Sequence, residues 1–365
     1  MPSNNNETMI EINPQRPRNH AFDLLCGLCI IRMMLNHITG FTGHNNEEWW
    51  TTTYFWTFYF MSFFFFQAGY FNKTIGGNSL QYVTDKARRL LIPYVVWGCV
   101  GTLVYFGMQP FVIARFGNFI EPLSWDHIWK VSTFYGNSPV WFLFSFFTAY
   151  VAMHFIQKLS NKSIPLGGGR HLPLAWVKWL VLGFPFISYW LFTLENPLWL
   201  SLSNVFMGIF FFFLGHVWHW LLARLRLRNT LLISVVLTAI FCVLNVVWHG
   251  QYNMCSNYWT GDPLAVIINT SLALCGLSGI LLSVHTPRIP VINYIGQHSM
   301  VFFVAHYPMI VLYRFIRISF GRSLIGRWDD FIILLIVVPC LCFWLVPYVE
   351  RVPWLSGRFP KKEKS

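Results

Sequence analysis

Apolar residues run in long unbroken stretches along this chain, with short polar connections between them. Stretches close to the roughly 20 residues needed to cross a hydrocarbon core fall at about 21–41, 54–72, 90–108, 138–157, 177–194, 198–221, 230–248, 263–284, 291–313 and 331–349. They are continuous rather than alternating. Because backbone polar groups in lipid must be satisfied within a helix or a closed barrel, continuous runs predict helices. The expected fold is therefore all-α: a polytopic transmembrane helix bundle of about ten spans. The fifth and sixth stretches are separated only by Glu195, Asn196 and Pro197.

Composition agrees with this pattern. Of 365 residues, 55% are hydrophobic and only 11% charged, against about 25% charged in soluble proteins. Lys and Arg number 26 and Asp and Glu 14, for a formal charge of +12. In a soluble protein that excess would suggest nucleic acid, but no basic helix or aromatic-interleaved patch is present. In a membrane protein its placement sets orientation. With the N-terminus cytoplasmic, the inner segments hold nineteen Lys and Arg and the outer segments six, which predicts both termini inside. The last outer loop is discordant, contributing Arg314, Arg317, Arg322 and Arg327 beside Asp329 and Asp330. The chain divides into a polar cytoplasmic leader (1–20), a transmembrane domain (21–350) and a basic cytoplasmic tail (351–365). The leader has no apolar core or small-residue cleavage site, so the first run reads as a retained anchor.

Seven of the eight cysteines lie in apolar runs, where thiols act as small hydrophobes; Cys255 alone sits in a polar loop. No disulfide framework, CxxC metal knuckle, HExxH, GxSxG or Walker sequence is present, and no metal is expected. Gly167, Gly168 and Gly169 follow no strand and lack the lysine and hydroxyl of a phosphate loop, so they read as a flexible connection. The outer loop at 109–137, ending in Tyr135, Gly136, Asn137, Ser138 and Pro139, reads as a cap over an outward-facing cavity.

Ionisable groups inside a bilayer are expensive and so are candidate functional groups. The first run holds Asp23 at its inner end, Arg32 at its middle, and Asn36 and His37 in its outer third; the ninth holds His306. His154 and His216 lie nearer inner ends. His37 is the foremost candidate, since an imidazole can take a proton from a hydroxyl. The competing assignment is a packing histidine bonded to a carbonyl, and it applies to His306 as well. Asn36 faces about 100° from His37 and reads as a packing group. Arg32, about 140° from His37, is either a counter-charge for an anionic substrate or the partner of a carboxylate elsewhere. Lys86, Arg88 and Arg89 precede the third run, where they serve either phosphate binding or simple anchoring. Gln67 is an amide within a phenylalanine tract and needs a partner. The tracts FYFMSFFFFQAGYF and VFMGIFFFFLGH read as lipid-facing and packing surface.

The segments FDLLCGLCIIRMMLNH, FFFFQAGYF, RRLLIPYVVWG, PVWFLFSFFTAYV, FFFFLGHVW, NYIGQHSMVFFVAHYPMI and YVERVPWL, in this order from about Phe22 to Phe359, resemble the integral-membrane acyltransferase 3 family. Its members are O-acyltransferases of cell-envelope polysaccharides. The resemblance implies transfer of an acyl group, most often acetyl, from cytoplasmic acetyl-CoA or another acyl-CoA to a sugar hydroxyl, in the inner or plasma membrane. It makes the acyl-CoA a donor substrate rather than a resident cofactor, and the other partners a glycan or lipid-linked glycan acceptor and the bilayer. It further implies that His37 deprotonates the acceptor or otherwise carries the acyl group. Arg88 and Arg89, with Lys86 beside them, would meet CoA phosphates. Trp141, Ser299 and His306 fall at recurrent positions that shape the pocket, with Arg32 and Gln67 as further pocket candidates.

One position departs from the family pattern. The family carries an arginine eleven residues before the histidine, and this chain has Cys26. Eleven residues place it about 20° off the His37 face and about 16 Å deeper. Arg88 or Arg89 takes over that role, or CoA binds differently, or activity is lost. Two rival classes follow: a transporter or flippase for a glycan or lipid-linked precursor, and a catalytically silent membrane partner. Against the transporter, no Gly- or Pro-broken half-helices recur in matching halves.

Overall fold

A computed structural model describes residues 19–72, 78–110, 134–167, 170–194, 202–284, 286–322 and 325–359. The leader up to Arg18, Lys73, Arg115, Lys130, Gly168, Gly169, the Glu195 to Pro197 break, and the tail from 360 lie outside the described residues. The expected helical bundle is present. Among the described residues, eight helices are long and apolar enough to cross a membrane. They are α1 (His20–Thr42), α4 (Ser79–Gly107), α5 (Trp141–Ser160, entered through a 3-10 turn at Ser138–Val140), α7 (Leu202–Leu222), α8 (Leu227–Val247), α9 (Pro263–Ser283), α11 (Ser299–Ser319) and α12 (Trp328–Arg351). Shorter helices are α2 (Glu48–Thr57), α3 (Phe60–Phe71), α6 (Phe184–Thr193), α10 (Pro290–Gln297) and α13 (Pro353–Ser356).

Three expected spans differ from single helices. The second is divided into α2 and α3 at Phe58 and Tyr59. The hydroxyls of Thr53 and Thr57 donate back to the carbonyls of Trp49 and Thr53, a bond that competes with the ladder and bends a helix. The fifth is a 3-10 segment, Val177–Gly183, followed by the ten-residue α6. A 3-10 turn has poorer hydrogen-bond geometry, and Pro185 suits only the first turn of the helix that follows. The ninth is broken at His298 into α10 and α11.

The helix α1 has clear ends. Asn19 caps it by accepting from the amides of Ala21 and Phe22, and Gly43 closes it in the left-handed conformation at φ 77°. Against its first half lies α10. A methyl group on Gly27 would meet the Ile292 carbonyl, and one on Gly296 the Asp23 carbonyl. Asn293 Nδ2 donates to the His20 carbonyl at 2.9 Å and Gln297 Nε2 to Asp23 at 3.1 Å.

The phenylalanine tracts form core rather than lipid-facing surface. Phe63, Phe64, Phe65 and Phe66 on α3 are buried against Phe210, Phe211, Phe212 and Phe213 on α7. Gly69 and Gly215 let the two backbones meet, since a Cβ on either would strike the opposite helix at Phe212 or Phe66. Small residues at a crossing serve this purpose in membrane helices.

Two antiparallel hairpins join helices: β1 (Ser163–Gly167) with β2 (Arg170–Pro173), and β3 (Gly250–Asn253) with β4 (Tyr258–Gly261). The second marks one end of the bundle, called here the hairpin end; α10 and α13 mark the opposite end. The stretch read as tail folds back there. Trp97 Nε1 donates to the Leu355 carbonyl at 2.9 Å, and Gly357 lies on the Arg89 backbone with no room for a side chain.

Candidate active site

Near the hairpin end, α1 and α11 bring His37 and His306 together. Their ring centroids are 5.2 Å apart with the planes tilted by 33°. Tyr307 meets His37 edge to face at 5.1 Å. His306 is fully buried, and its Nδ1 lies 2.9 Å from the Phe302 carbonyl. A carbonyl only accepts, so Nδ1 carries the proton and Nε2 presents a lone pair. That Nε2 has no hydrogen-bond partner.

Three adjoining cavities share the C-terminal part of α1. One of about 220 Å³ is lined by Met33, Asn36, His37, Trp141 and Phe303, among others. A second, about 430 Å³, has Asn36, His37, Tyr307 and Arg314 in its wall. Asn36 also lines a third of about 320 Å³, with Trp50, Tyr54 and Gln251. His37 is thus reached from two sides. Asn36, read from the sequence as a packing group, faces the same space because the cavities flank α1 on both sides.

The lid of the first cavity comes from both sides of the chain. Ser138 and Pro139, at the end of the loop read as a cap, line it, while residues 111–133 of that loop lie outside the described residues; Tyr252, Asn253, Met254 and Cys255 of the hairpin close it. Asn137 anchors the cap: its buried Nδ2 donates to the carbonyls of Trp97 at 3.1 Å and Val304 at 3.0 Å, tying α4 to α11. Gly136 makes the turn at φ 70°, where a side chain would also strike Gly101. The hairpin is held by Asn257, which accepts from Ser188 Oγ at 2.7 Å and Tyr252 OH at 2.9 Å and donates to the Ser188 carbonyl at 3.0 Å. At its root His249 stacks on Phe55 at 4.2 Å. Burial holds its pKa below the usual imidazole range, so it packs there as the neutral ring.

A fourth space, about 200 Å³, opens toward the opposite end and is lined by Ile30, Leu90, Phe142, Ser299 and Phe303. Phe303 belongs to its wall and to that of the His37 cavity. Leu90 directly follows Arg88 and Arg89, which are exposed at that end. Lys86 points elsewhere, with its ammonium 3.4 Å from the ring centre of Tyr150. Cys26, in place of the family arginine, is buried, with Ser299 beside its thiol. Nearby, Glu350 pairs with His298 at 2.5 Å and with Arg358 at 2.6 Å.

The sequence-predicted residues thus fall into separate groups. His37, His306 and Trp141 meet at the hairpin end. Ser299, Arg88 and Arg89 belong to the opposite end. Arg32 lies behind the cavity wall, and Gln67, half-buried on α3, lines none of these spaces. Sequence reasoning missed Asn36, Asn137 and the hairpin. An Asn or Ser next to Gly and Pro was the available signal for Asn137, and a polar loop holding Tyr252 and Cys255 the one for the hairpin.

A bundle whose described residues include eight helices long and apolar enough to cross a membrane, with half-buried His37 facing internal cavities and buried His306 behind it, defines a multi-pass membrane protein with an internal cavity system. Residues 19–346 match the family model described as an acyltransferase domain. The chain belongs to this acyltransferase 3 family and is a membrane acyltransferase by that membership. No curated protein matches the chain at a significant level.

Proposed function

We propose that the protein moves an acyl group, acetyl in the first instance, from an acyl-CoA to a hydroxyl of a cell-envelope sugar or polysaccharide in the inner or plasma membrane. The observation that carries this reading is His37 in the walls of two adjoining cavities, with His306 packed behind it, in a chain of the acyltransferase family.

The donor enters at the α10 end, with its phosphates at Arg88 and Arg89 and its acyl arm in the space bounded by Ser299 and Phe303. The acceptor enters at the hairpin end. His37 takes the hydroxyl proton, and the oxygen attacks the thioester carbonyl. As the new C–O bond forms, the C–S bond breaks, and His37 returns the proton to the departing sulfur to give CoA thiol. When His37 turns toward it, His306 can accept an N–H at its free Nε2, which keeps the opposite nitrogen of His37 available as the base. This is the orienting role of the third member in an acid–base triad. General base catalysis of this kind contributes about 10²- to 10⁴-fold.

The test is incubation of membranes with labelled acetyl-CoA. Label in a glycan that is lost in His37→Ala supports the reading, and an active His37→Ala protein removes it. Movement of a glycan across the bilayer without acyl-CoA would instead establish a transporter.

A further inference from the structure

Arg32 is only 5% exposed, within the helical bundle. Its Nε donates to Thr57 Oγ1 at 2.7 Å. The guanidinium carbon lies 4.2 Å from the ring centre of Trp50 and 4.8 Å from those of Tyr54 and Phe60. Both terminal nitrogens are buried without a hydrogen-bond partner, and among the described residues no carboxylate pairs with them. This disposes of the carboxylate-partner alternative for the described part of the chain. A guanidinium does not give up its proton in a protein, and a buried charge is costly unless paired. Ring faces offset part of that cost, but they leave the outer fork of N–H groups unused. That fork matches a carboxylate or phosphate in bidentate geometry.

The surroundings suit an anion. Tyr54 and Phe60, two walls of the cage, also line the cavity that holds His37, as does Met33, the neighbour of Arg32. Asn36, one helical turn from Arg32, faces all three cavities, and Arg314 stands in the wall of the second. Among the described residues, no Asp or Glu lines any of the three.

We propose that the acceptor is acidic, and that the Arg32 fork binds its carboxylate or phosphate beside Asn36 when the Tyr54 and Phe60 rings turn aside. Five residues separate Arg32 from His37, about 7.5 Å along the helix. The acidic group therefore belongs to the acylated sugar or the one next to it. The assignment of this anion to the acceptor rests on the acyltransferase reading; the anion site itself does not.

Thermal unfolding of the full chain in detergent, with glucuronate, glucose 1-phosphate and glucose as probes, tests it. At least one of the two acids raises the melting temperature of the wild type and of His37→Ala, and glucose does not. Glucuronate alone identifies a carboxylate, and glucose 1-phosphate alone a phosphate. Arg32→Gln loses the response, and Arg32→Lys, with a point charge in place of the fork, weakens it about tenfold in concentration. If Arg32→Gln does not accumulate, Arg32→Lys and the comparison with glucose decide. Equal stabilisation by glucose, no stabilisation by either acid, or an unchanged response in the Arg32 variants would overturn the site. Acid binding without acetyl transfer would overturn the enzyme reading and leave the site standing.

Discussion

The ring of His306 sits 5.2 Å from that of His37, with Nδ1 held by the Phe302 carbonyl and Nε2 left free. One imidazole is fixed in its tautomer by a helix carbonyl, and the other is exposed to the cavities. Such an arrangement separates the residue that touches substrate from the residue that orients it.

The pairing predicts non-additive losses. His37→Ala should lower acyl transfer by about 10²- to 10⁴-fold, and His306→Ala by less. The double variant should be no slower than His37→Ala alone, because residues acting as a unit do not contribute independently. Labelled transfer by membranes of the three variants measures this, and losses that multiply would show that the histidines act separately.

Phe303 lines both the His37 cavity and the space toward the opposite end, which the proposed function assigns to acceptor and donor. A bulkier Phe303→Trp should reduce transfer about tenfold or more, equivalent to about 1.4 kcal/mol, while acyl-CoA still binds at the α10 end. Equilibrium binding of a non-hydrolysable acyl-CoA alongside the transfer assay separates the effects. Loss of both together would place Phe303 in the donor site instead.

Arg88 and Arg89 are exposed, and the proposed donor site uses them as charges rather than as reacting groups. Their replacement by Gln should raise KM for acyl-CoA with little change in kcat, the pattern expected when ground-state and transition-state binding fall together. The wild-type KM should also rise with salt, because exposed charges are screened. A fall in kcat at constant KM would contradict this.

Asn137→Ala removes two buried bonds, leaving the carbonyls of Trp97 and Val304 short of a donor. The expected cost is about 1–3 kcal/mol, read as a lower melting temperature in detergent. Asn137→Asp should be at least as damaging, since it buries a carboxylate against two carbonyl oxygens. An unchanged melting temperature in both variants would remove the clamp.

Much of this architecture was legible in hydropathy, and its failures have physical causes. The long runs marked α1, α7, α8 and α9 to within a few residues, because a bilayer tolerates only continuous apolar helix, whereas α4 begins at Ser79, well before its run at 90, in a stretch rich in polar residues. The break at Phe58 and Tyr59 was hidden because threonine hydroxyls that loosen a helix do so without changing its polarity. The break at His298 was hidden for a similar reason, since α10 and α11 are both apolar. The cost of burying ionisable groups singled out His37 and His306, but nothing local to either showed that α1 and α11 would bring them together. Asn36 was misjudged because angular separation on a helix excludes a shared site only when the site lies on one side. The fork of Arg32 was visible as a charge; only the packing of Trp50, Tyr54 and Phe60 around it showed that it lacked a partner.

The division at Phe303 bears on more than catalysis. Among the described residues, the two recesses meet at that one ring, so it stands between them along this route. On the proposed reading, substrates approach from opposite ends while the ring interrupts a file of water between the recesses. Donor and acceptor would then be brought to one wall without opening a path for protons through it.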